Sequence, residues 1–212
     1  MNKYKPNSEN LTILMLDLCS YTKLSSRLDR EALHRFHDFF DEMAISPIEK
    51  YNGQVIKKMG DAFLATFRSP TNALHSAIEI QEKFRMYNKE QRLKHPIMVR
   101  ISLHLGDVIL RKGDIYGDAV NITSRIEKLT PPGKIFFSNS VFMAMNKNEI
   151  PYRLIGIKRV KGVRHLIKIY QAKYSSDILA IKKRKRLIFF NRLLKIIIIL
   201  FLGYMAWKLL RH

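Results

Sequence analysis

The sequence predicts an α+β fold, a ferredoxin-like βαββαβ sandwich in which helices pack on one face of a mostly antiparallel sheet. Strand-like and helix-like hydrophobic patterns alternate along the chain, and neither repeats nor low-complexity segments interrupt them. The length of 212 residues and the hydrophobic content of 47% suffice for one full core with an appendage. We therefore expect one globular domain.

The first two elements are a buried strand and a long helix. Residues 11–18 (LTILMLDL) form an apolar run with one charge near its end, which is typical of a buried strand. Asp29 is placed to cap a helix that extends to about Lys50, and Pro47 should kink or shorten the end of that helix.

The later segments continue the alternation of strands and helices. Asn52-Gly53 begins a hairpin that turns at Gly60-Asp61. The predicted elements are hairpin strands at 53–59 and 61–67, a helix at 70–93, a strand at 98–110, a helix at 116–129, and strands at 134–138, 151–156 and 166–172.

The C-terminal tail has the pattern of a membrane anchor. Residues 182–212 carry nine basic side chains and no acidic one. The apolar run at 196–207 gives about 18 Å of helix, and snorkelling of Lys195 and Lys208 extends it to about 27 Å, against a hydrocarbon thickness of about 30 Å. A buried helix at a dimer interface and an interfacial helix are the alternatives. The basic excess before the span predicts a cytoplasmic N-terminal domain.

These patterns divide the chain into four parts: an N-terminal extension at 1–10, a globular domain at 11–172, a basic linker at 173–186 and a C-terminal transmembrane anchor at 187–210. The single Cys19 and the polar stretch after Met1 predict that the globular domain occupies a reducing cytosol. The net charge is +20, and the nine basic residues of the tail leave +11 for residues 1–181. That balance suits polyanionic partners such as nucleotides.

Two aspartates interrupt apolar surroundings at the ends of predicted strands. Asp17 ends the first strand, and Asp61 lies beside the turn of the hairpin. Two close carboxylates repel each other unless protons or cations intervene, and Mg²⁺ typically takes carboxylates together with phosphate oxygens. The spacing leaves two readings open, a pair of structural aspartates or a metal site.

Five blocks resemble the catalytic domain of the class III nucleotidyl cyclases, the adenylate and guanylate cyclases of bacterial type. They occur in the family's order and approximate spacing over residues 10–172. The blocks are LDLCSYTKLS (16–25), GQVIKKMGDAFLATF (53–67), VRISLHLGDV (99–108), DIYGDAVNITSRIEKLTPPGKIFFS (114–138) and RVKG (159–162).

The resemblance implies an adenylate cyclase that converts ATP to 3′,5′-cyclic AMP and pyrophosphate, with two Mg²⁺ or Mn²⁺ ions per site. Asp17 and Asp61 match the metal-binding aspartates. Lys57 and Asp114 match the pair that reads the adenine edge, and the choice of Lys57 over Lys58 depends on the family spacing.

The same resemblance assigns the remaining site residues. Asn121 and Arg125 match the catalytic residues that position the ribose and stabilise charge at the α-phosphate, and Lys161 matches the lysine of the terminal phosphates. Because the family's sites lie between two subunits, a homodimer would hold two composite sites. Ser20 departs from the glycine common in the family, which bears on the metal loop. Asp118 reads as a helix-capping or dipole residue.

Two alternatives remain beside the adenylate cyclase. The first is guanylate cyclase activity, or mixed specificity for ATP and GTP, on the same scaffold. The second is a non-catalytic protein anchored in the membrane that binds nucleotides. Nucleic acid is not an expected partner, and binding to it would fall steeply with salt.

Overall fold

The computed structural model describes residues 8–21, 25–26, 28–159 and 166–174. Their secondary structure belongs to one compact unit that ends at Lys173. The strands are β1 (Ser8–Leu18), β2 (Gln54–Met59), β3 (Ala62–Phe67), β4 (Val99–Arg111), β5 (Asp114–Tyr116), β6 (Ile135–Ser138), β7 (Tyr152–Lys158) and β8 (Ile167–Ala172). The helices are α1 (Arg30–Lys50), α2 (Pro70–Glu90), α3 (Asp118–Leu129) and α4 (Asn139–Ala144).

The strands form one sheet in the order β2-β3-β1-β4-β6-β8-β7, and β5 pairs with β4. Strands β4 and β6 are parallel, whereas the other neighbouring pairs are antiparallel. The predicted α+β class with a mostly antiparallel sheet is confirmed. The short elements β5 and α4 were not predicted.

Helices pack on both faces of this sheet, which corrects the expectation of a single covered face. On one face, Phe40 of α1 contacts Phe63 of β3 and Phe84 of α2. On the other face, Ala119 of α3 packs in a cluster with Met15 of β1 and neighbouring apolar residues. Because side chains alternate along a strand, β1 buries one set against α1 and α2 and the other set against α3.

The long helix α1 begins as the sequence predicts, because the Asp29 side chain accepts a hydrogen bond from Ala32 N–H at 2.7 Å. The helix does not end at Pro47 but continues to Lys50. Pro47 is buried among the residues that α1 turns toward the core. The predicted extension to about Lys50 is confirmed, and the expected shortening at Pro47 is wrong.

Within the described residues, no helix has both the length and the apolar character needed to cross a bilayer. The predicted anchor at 187–210 lies outside those residues.

Candidate active site

The pairing of β1 with β3 brings Asp17 and Asp61 to one corner of the sheet. Asp17 is the register partner of Ala62, the residue after Asp61. The N–H of Leu18 donates to the carbonyl of Asp61 at 3.1 Å, which ties the turn to the end of β1. Burial raises the pKa of Asp17, a hydrogen bond from Arg100 opposes the rise, and the charge of Asp61 adds to it.

Arg100 joins Asp17 to a third carboxylate that the sequence analysis missed. Arg100 lies opposite Asp17 in the register of β1 with β4, and its Nε donates to Asp17 Oδ2 at 2.7 Å. The same Nε lies 2.7 Å from Oε1 of Glu127 on α3. Burial raises the pKa of Glu127 and outweighs the lowering effect of the Arg100 charge. A charged residue within an apolar strand was the available signal, but its partners require the register.

This corner fits a hard divalent cation. Asp17 and Asp61 supply the carboxylate oxygens that Mg²⁺ and Mn²⁺ bind, and Mg²⁺ commonly takes only one or two carboxylates when a phosphate completes its shell. Among the described residues, no group of three or more His, Cys, Asp or Glu side chains is arranged to hold a metal without such help. The two carboxylates therefore suit a hard divalent cation whose remaining ligands are water or phosphate oxygens.

A second pair of predicted residues is also in contact. Lys57 Nζ donates to Asp114 Oδ2 at 2.6 Å, joining β2 to β5. The hydrogen bond from Lys57 lowers the pKa of Asp114 and outweighs the opposing effect of burial. Lys58 instead donates to Asp41 of α1, on the other face of the sheet. The structure thus separates the two neighbouring lysines and brings Lys57 to Asp114.

A close approach of two backbones sets the start of α3. Gly117 precedes the helix with φ 138°, and a Cβ there would lie 3.1 Å from the carbonyl oxygen of Asp107. Only glycine adopts such a backbone without strain. Asp118 then occupies the first turn, where a carboxylate complements the helix dipole.

Helix α3 carries two more of the predicted residues. Asn121 is exposed and Arg125 is half-buried, one turn apart, while the neighbouring Ile122 and Ile126 are buried in the core. Each is therefore presented on the surface of a packed helix. Lys161 lies outside the described residues, so the structure does not place it.

The loop after Asp17 contains the residue that departs from the family pattern. Ser20 has φ 66°, in the left-handed region that favours glycine. The next residue, Tyr21, has its hydroxyl 2.9 Å from Nε2 of His37 on α1. The serine thus adopts the conformation of a glycine, and a side-chain hydrogen bond ties the adjacent residue to α1.

Comparison with known proteins places these features in a family. The model of the adenylate and guanylate cyclase catalytic domain matches residues 3–173. An adenylate cyclase of Anabaena cylindrica is 30% identical over 187 residues, covering 79% of this chain and 37% of that protein. The chain spans 20%, 27% and 37% of the length of three curated relatives.

Solved structures agree with the family match. An adenylate/guanylate cyclase/hydrolase from Silicibacter pomeroyi has a TM-score of 0.69 and 31% identity, covering 78% of this chain and 96% of that one. The guanylate cyclase domain of RhGC from Catenaria anguillulae, solved with GTP, has a TM-score of 0.69 and 21% identity, covering 78% of this chain and 96% of that one. The fold, the family match and the paired residues lead to one conclusion: the chain belongs to the adenylate and guanylate cyclase catalytic domain family, the class III nucleotidyl cyclases.

Proposed function

We propose that the chain is an adenylate cyclase that converts ATP to 3′,5′-cyclic AMP and pyrophosphate for cyclic nucleotide signalling. The observation that carries this proposal is the contact between Lys57 Nζ and Asp114 Oδ2 at 2.6 Å. Lysine is a donor only and an ionised aspartate is an acceptor only. Adenine presents an acceptor, N1, beside a donor, its 6-amino group, whereas guanine presents the reverse order. The pair therefore favours adenine.

The rest of the site supplies charge and position. The ribose 3′-hydroxyl attacks the α-phosphorus, and the bond from that phosphorus to pyrophosphate breaks. Asn121 positions the ribose, Arg125 stabilises the negative charge that develops at the α-phosphate, and Lys161 holds the terminal phosphates. Two Mg²⁺ or Mn²⁺ ions held by Asp17 and Asp61 would activate the attacking hydroxyl and neutralise the leaving pyrophosphate.

An exchange of the base-reading pair tests the substrate. The double variant Lys57→Glu with Asp114→Cys, with Lys58→Glu as the matched control, is assayed for kcat/KM with ATP and with GTP. The double variant should lose preference for ATP over GTP by at least about 10²-fold, because the polar groups that face the base no longer match adenine. Lys58→Glu should keep the preference. ATP turnover that survives the double exchange unchanged would contradict the assignment.

The same family includes a structure solved with GTP, so guanylate cyclase or mixed activity is the second candidate. Greater kcat/KM for GTP than for ATP in the unaltered chain would favour it. Nucleotide binding without either cyclic product would instead favour a non-catalytic nucleotide-binding protein.

We further propose that the active form is a homodimer with two composite sites. Asp17 and Asp61 would come from one subunit, and Lys57, Asp114, Asn121 and Arg125 from the other. A mixture of inactive Asp17→Ala and Arg125→Ala chains should recover about a quarter of the normal activity, because half of the dimers would hold one intact site of two. No recovery after confirmed subunit exchange would contradict composite sites.

The basic and apolar composition of the tail supports a further proposal, that residues 187–210 anchor the protein in a membrane with the catalytic domain in the cytoplasm. Protease protection in inverted and right-side-out vesicles tests it. If residues 187–210 span the membrane, a tag before Met1 should be protected in one vesicle orientation and a tag after His212 in the other. Protection of both tags in the same orientation would favour an interfacial helix.

A further inference from the structure

One guanidinium nitrogen lies between two carboxylates beside the candidate metal corner. Arg100 Nε is 2.7 Å from Asp17 Oδ2 and also 2.7 Å from Glu127 Oε1. The Nε carries one hydrogen, which it donates to Asp17, and Nη2 reinforces that contact at 2.5 Å. Arg100 therefore favours Asp17 although Glu127 is equally near.

The Glu127 oxygen is buried and lacks a hydrogen bond. Oε1 has almost no solvent exposure, and it accepts no hydrogen bond from any residue that the structure describes. The side chain as a whole is 16% exposed, so water compensates little. A buried carboxylate oxygen without a donor is unfavourable. Glu127 thus holds an unused acceptor within reach of a donor that is engaged elsewhere.

A metal at Asp17 would change this balance. A divalent cation and a guanidinium would compete for the carboxylate of Asp17, and their like charges repel at close range. A small rotation of the guanidinium suffices to turn the Nε–H from Asp17 Oδ2 to Glu127 Oε1, because both distances are already those of a hydrogen bond. The three carboxylates Asp17, Asp61 and Glu127 with one guanidinium also leave a formal charge of −2, which attracts divalent cations.

We propose that metal loading transfers the hydrogen bond of Arg100 from Asp17 to Glu127, and that Glu127 is a positioning residue whose role is to receive it. This inference rests on the metal role proposed above for Asp17. In the metal-free protein Arg100 neutralises Asp17, and in the loaded protein Glu127 keeps Arg100 beside the site but off the metal ligand.

The test measures the binding of Mn²⁺ alone to the 212-residue chain by electron paramagnetic resonance of the free ion, without nucleotide. Glu127→Gln keeps the shape of the side chain and should weaken Mn²⁺ binding by about 10-fold, as is typical of residues that support metal ligands. Glu31→Gln, which removes the same charge at an exposed position of α1, should leave binding unchanged.

A second background separates transfer of Arg100 from a direct effect of Glu127 on the metal. Arg100→Gln protein has no guanidinium that could donate to Glu127. Adding Glu127→Gln to it should therefore change Mn²⁺ binding less than about 2-fold. An equal loss in both backgrounds would overturn the proposal, because Glu127 would then act on the metal itself.

Glu127→Asp separates position from charge. It keeps the negative charge but withdraws the carboxylate by one methylene, so it should behave like Glu127→Gln. Normal Mn²⁺ binding in Glu127→Asp would also overturn the proposal.

Asp17→Asn provides the independent check. If it leaves Mn²⁺ binding intact, the metal role of Asp17 fails. If binding is lost but residues 100 and 127 show no coupling, only the transfer of the Arg100 hydrogen bond fails.

Discussion

Asp17 and Asp114 both pair with a basic residue at similar exposure, yet their pKa values move in opposite directions. The side chains are 18% and 24% exposed, respectively. Asp114 receives Lys57 together with the N–H of Ile115, and its pKa is lowered by these bonds. At Asp17 burial is the largest cause and raises the pKa; the hydrogen bond and charge of Arg100 oppose the rise, and the like charge of Asp61 adds to it.

Both aspartates have an ion pair, so the regions differ in the burial that dominates at Asp17, in the hydrogen bond that dominates at Asp114, and in the net charge around each. Lys57 and Asp114 neutralise each other, which suits a neutral base that exchanges one donor and one acceptor with them. The Asp17 corner retains an excess of carboxylates, which suits a cation. Variants that alter one region at a time should therefore have separate effects.

Asp17→Asn should break the corner of the site. The amide removes a negative metal ligand, so we expect cyclic AMP formation to fall by on the order of 10² to 10³ in kcat while the protein stays folded. Initial rates at saturating ATP and Mn²⁺, with circular dichroism as the folding check, measure this. Asp41→Asn, which removes a carboxylate paired with Lys58 on the opposite face, is the matched control. Comparable activity in the two variants would contradict the metal assignment.

Arg100→Met should destabilise the fold because it leaves the carboxylates at this corner without their positive partner. Removing the guanidinium leaves Asp17 and Glu127 without their shared partner, and loss of one member of a largely buried pair costs about 2–3 kcal/mol after allowance for the exposed part of Arg100. Denaturant unfolding at pH 7.5 gives the change in free energy. Adding Asp17→Asn to Arg100→Met should restore part of the stability, and no recovery would show that Arg100 acts through packing rather than charge.

The helices and strands could largely be predicted from sequence because their hydrophobic patterns repeat over many residues. The predicted strand at 98–110 corresponds to β4, Val99–Arg111, and the helix at 116–129 to α3, Asp118–Leu129. The elements β5 and α4 have three and six residues, too few to show a period. The face to which α3 returns depends on tertiary packing, which no local pattern specifies.

The site could be predicted only where sequence spacing assigns its residues, and the contacts between them require the strand register. A register shift between Val55 and Lys57 interrupts the alternation of β2, so alternation alone could not decide which lysine meets Asp114. The contact between Arg100 and Asp17 joins residues 83 positions apart, and only the pairing of β1 with β4 reveals it.

Introducing a glycine beside one region and removing a glycine beside the other should change the free energy of unfolding in opposite directions. Ser20, three residues after Asp17, has φ 66°, and Ser20→Gly should raise the free energy of unfolding by about 1 kcal/mol by removing the strain of a left-handed residue. Gly117, three residues after Asp114, has φ 138°, and Gly117→Ala should lower it by about 1–3 kcal/mol. Thermal and denaturant unfolding measure both, and equal signs would contradict the backbone assignment.

The smallest effect concerns the pH dependence of the pair between Lys57 and Asp114. The pKa of Asp114 is lowered in the folded protein, so its contribution to stability is fully present above the pKa of an unfolded aspartate, about 3.9, and is lost as pH falls through the lower folded value. We expect Asp114→Asn to cost a few tenths to about 1 kcal/mol, a modest value because solvent screens a pair that is partly exposed.

Unfolding free energies of the unaltered chain and of Asp114→Asn should therefore differ by a constant amount between pH 8 and pH 5, with the difference shrinking below about pH 4. In Lys57→Met protein the same substitution should show little of this pH dependence, because the hydrogen bond that lowers the pKa of Asp114 comes from Lys57. A difference that grows as pH falls from 8 to 5 would mean that the pKa of Asp114 is raised, as at Asp17, and the contrast between the two regions would fail.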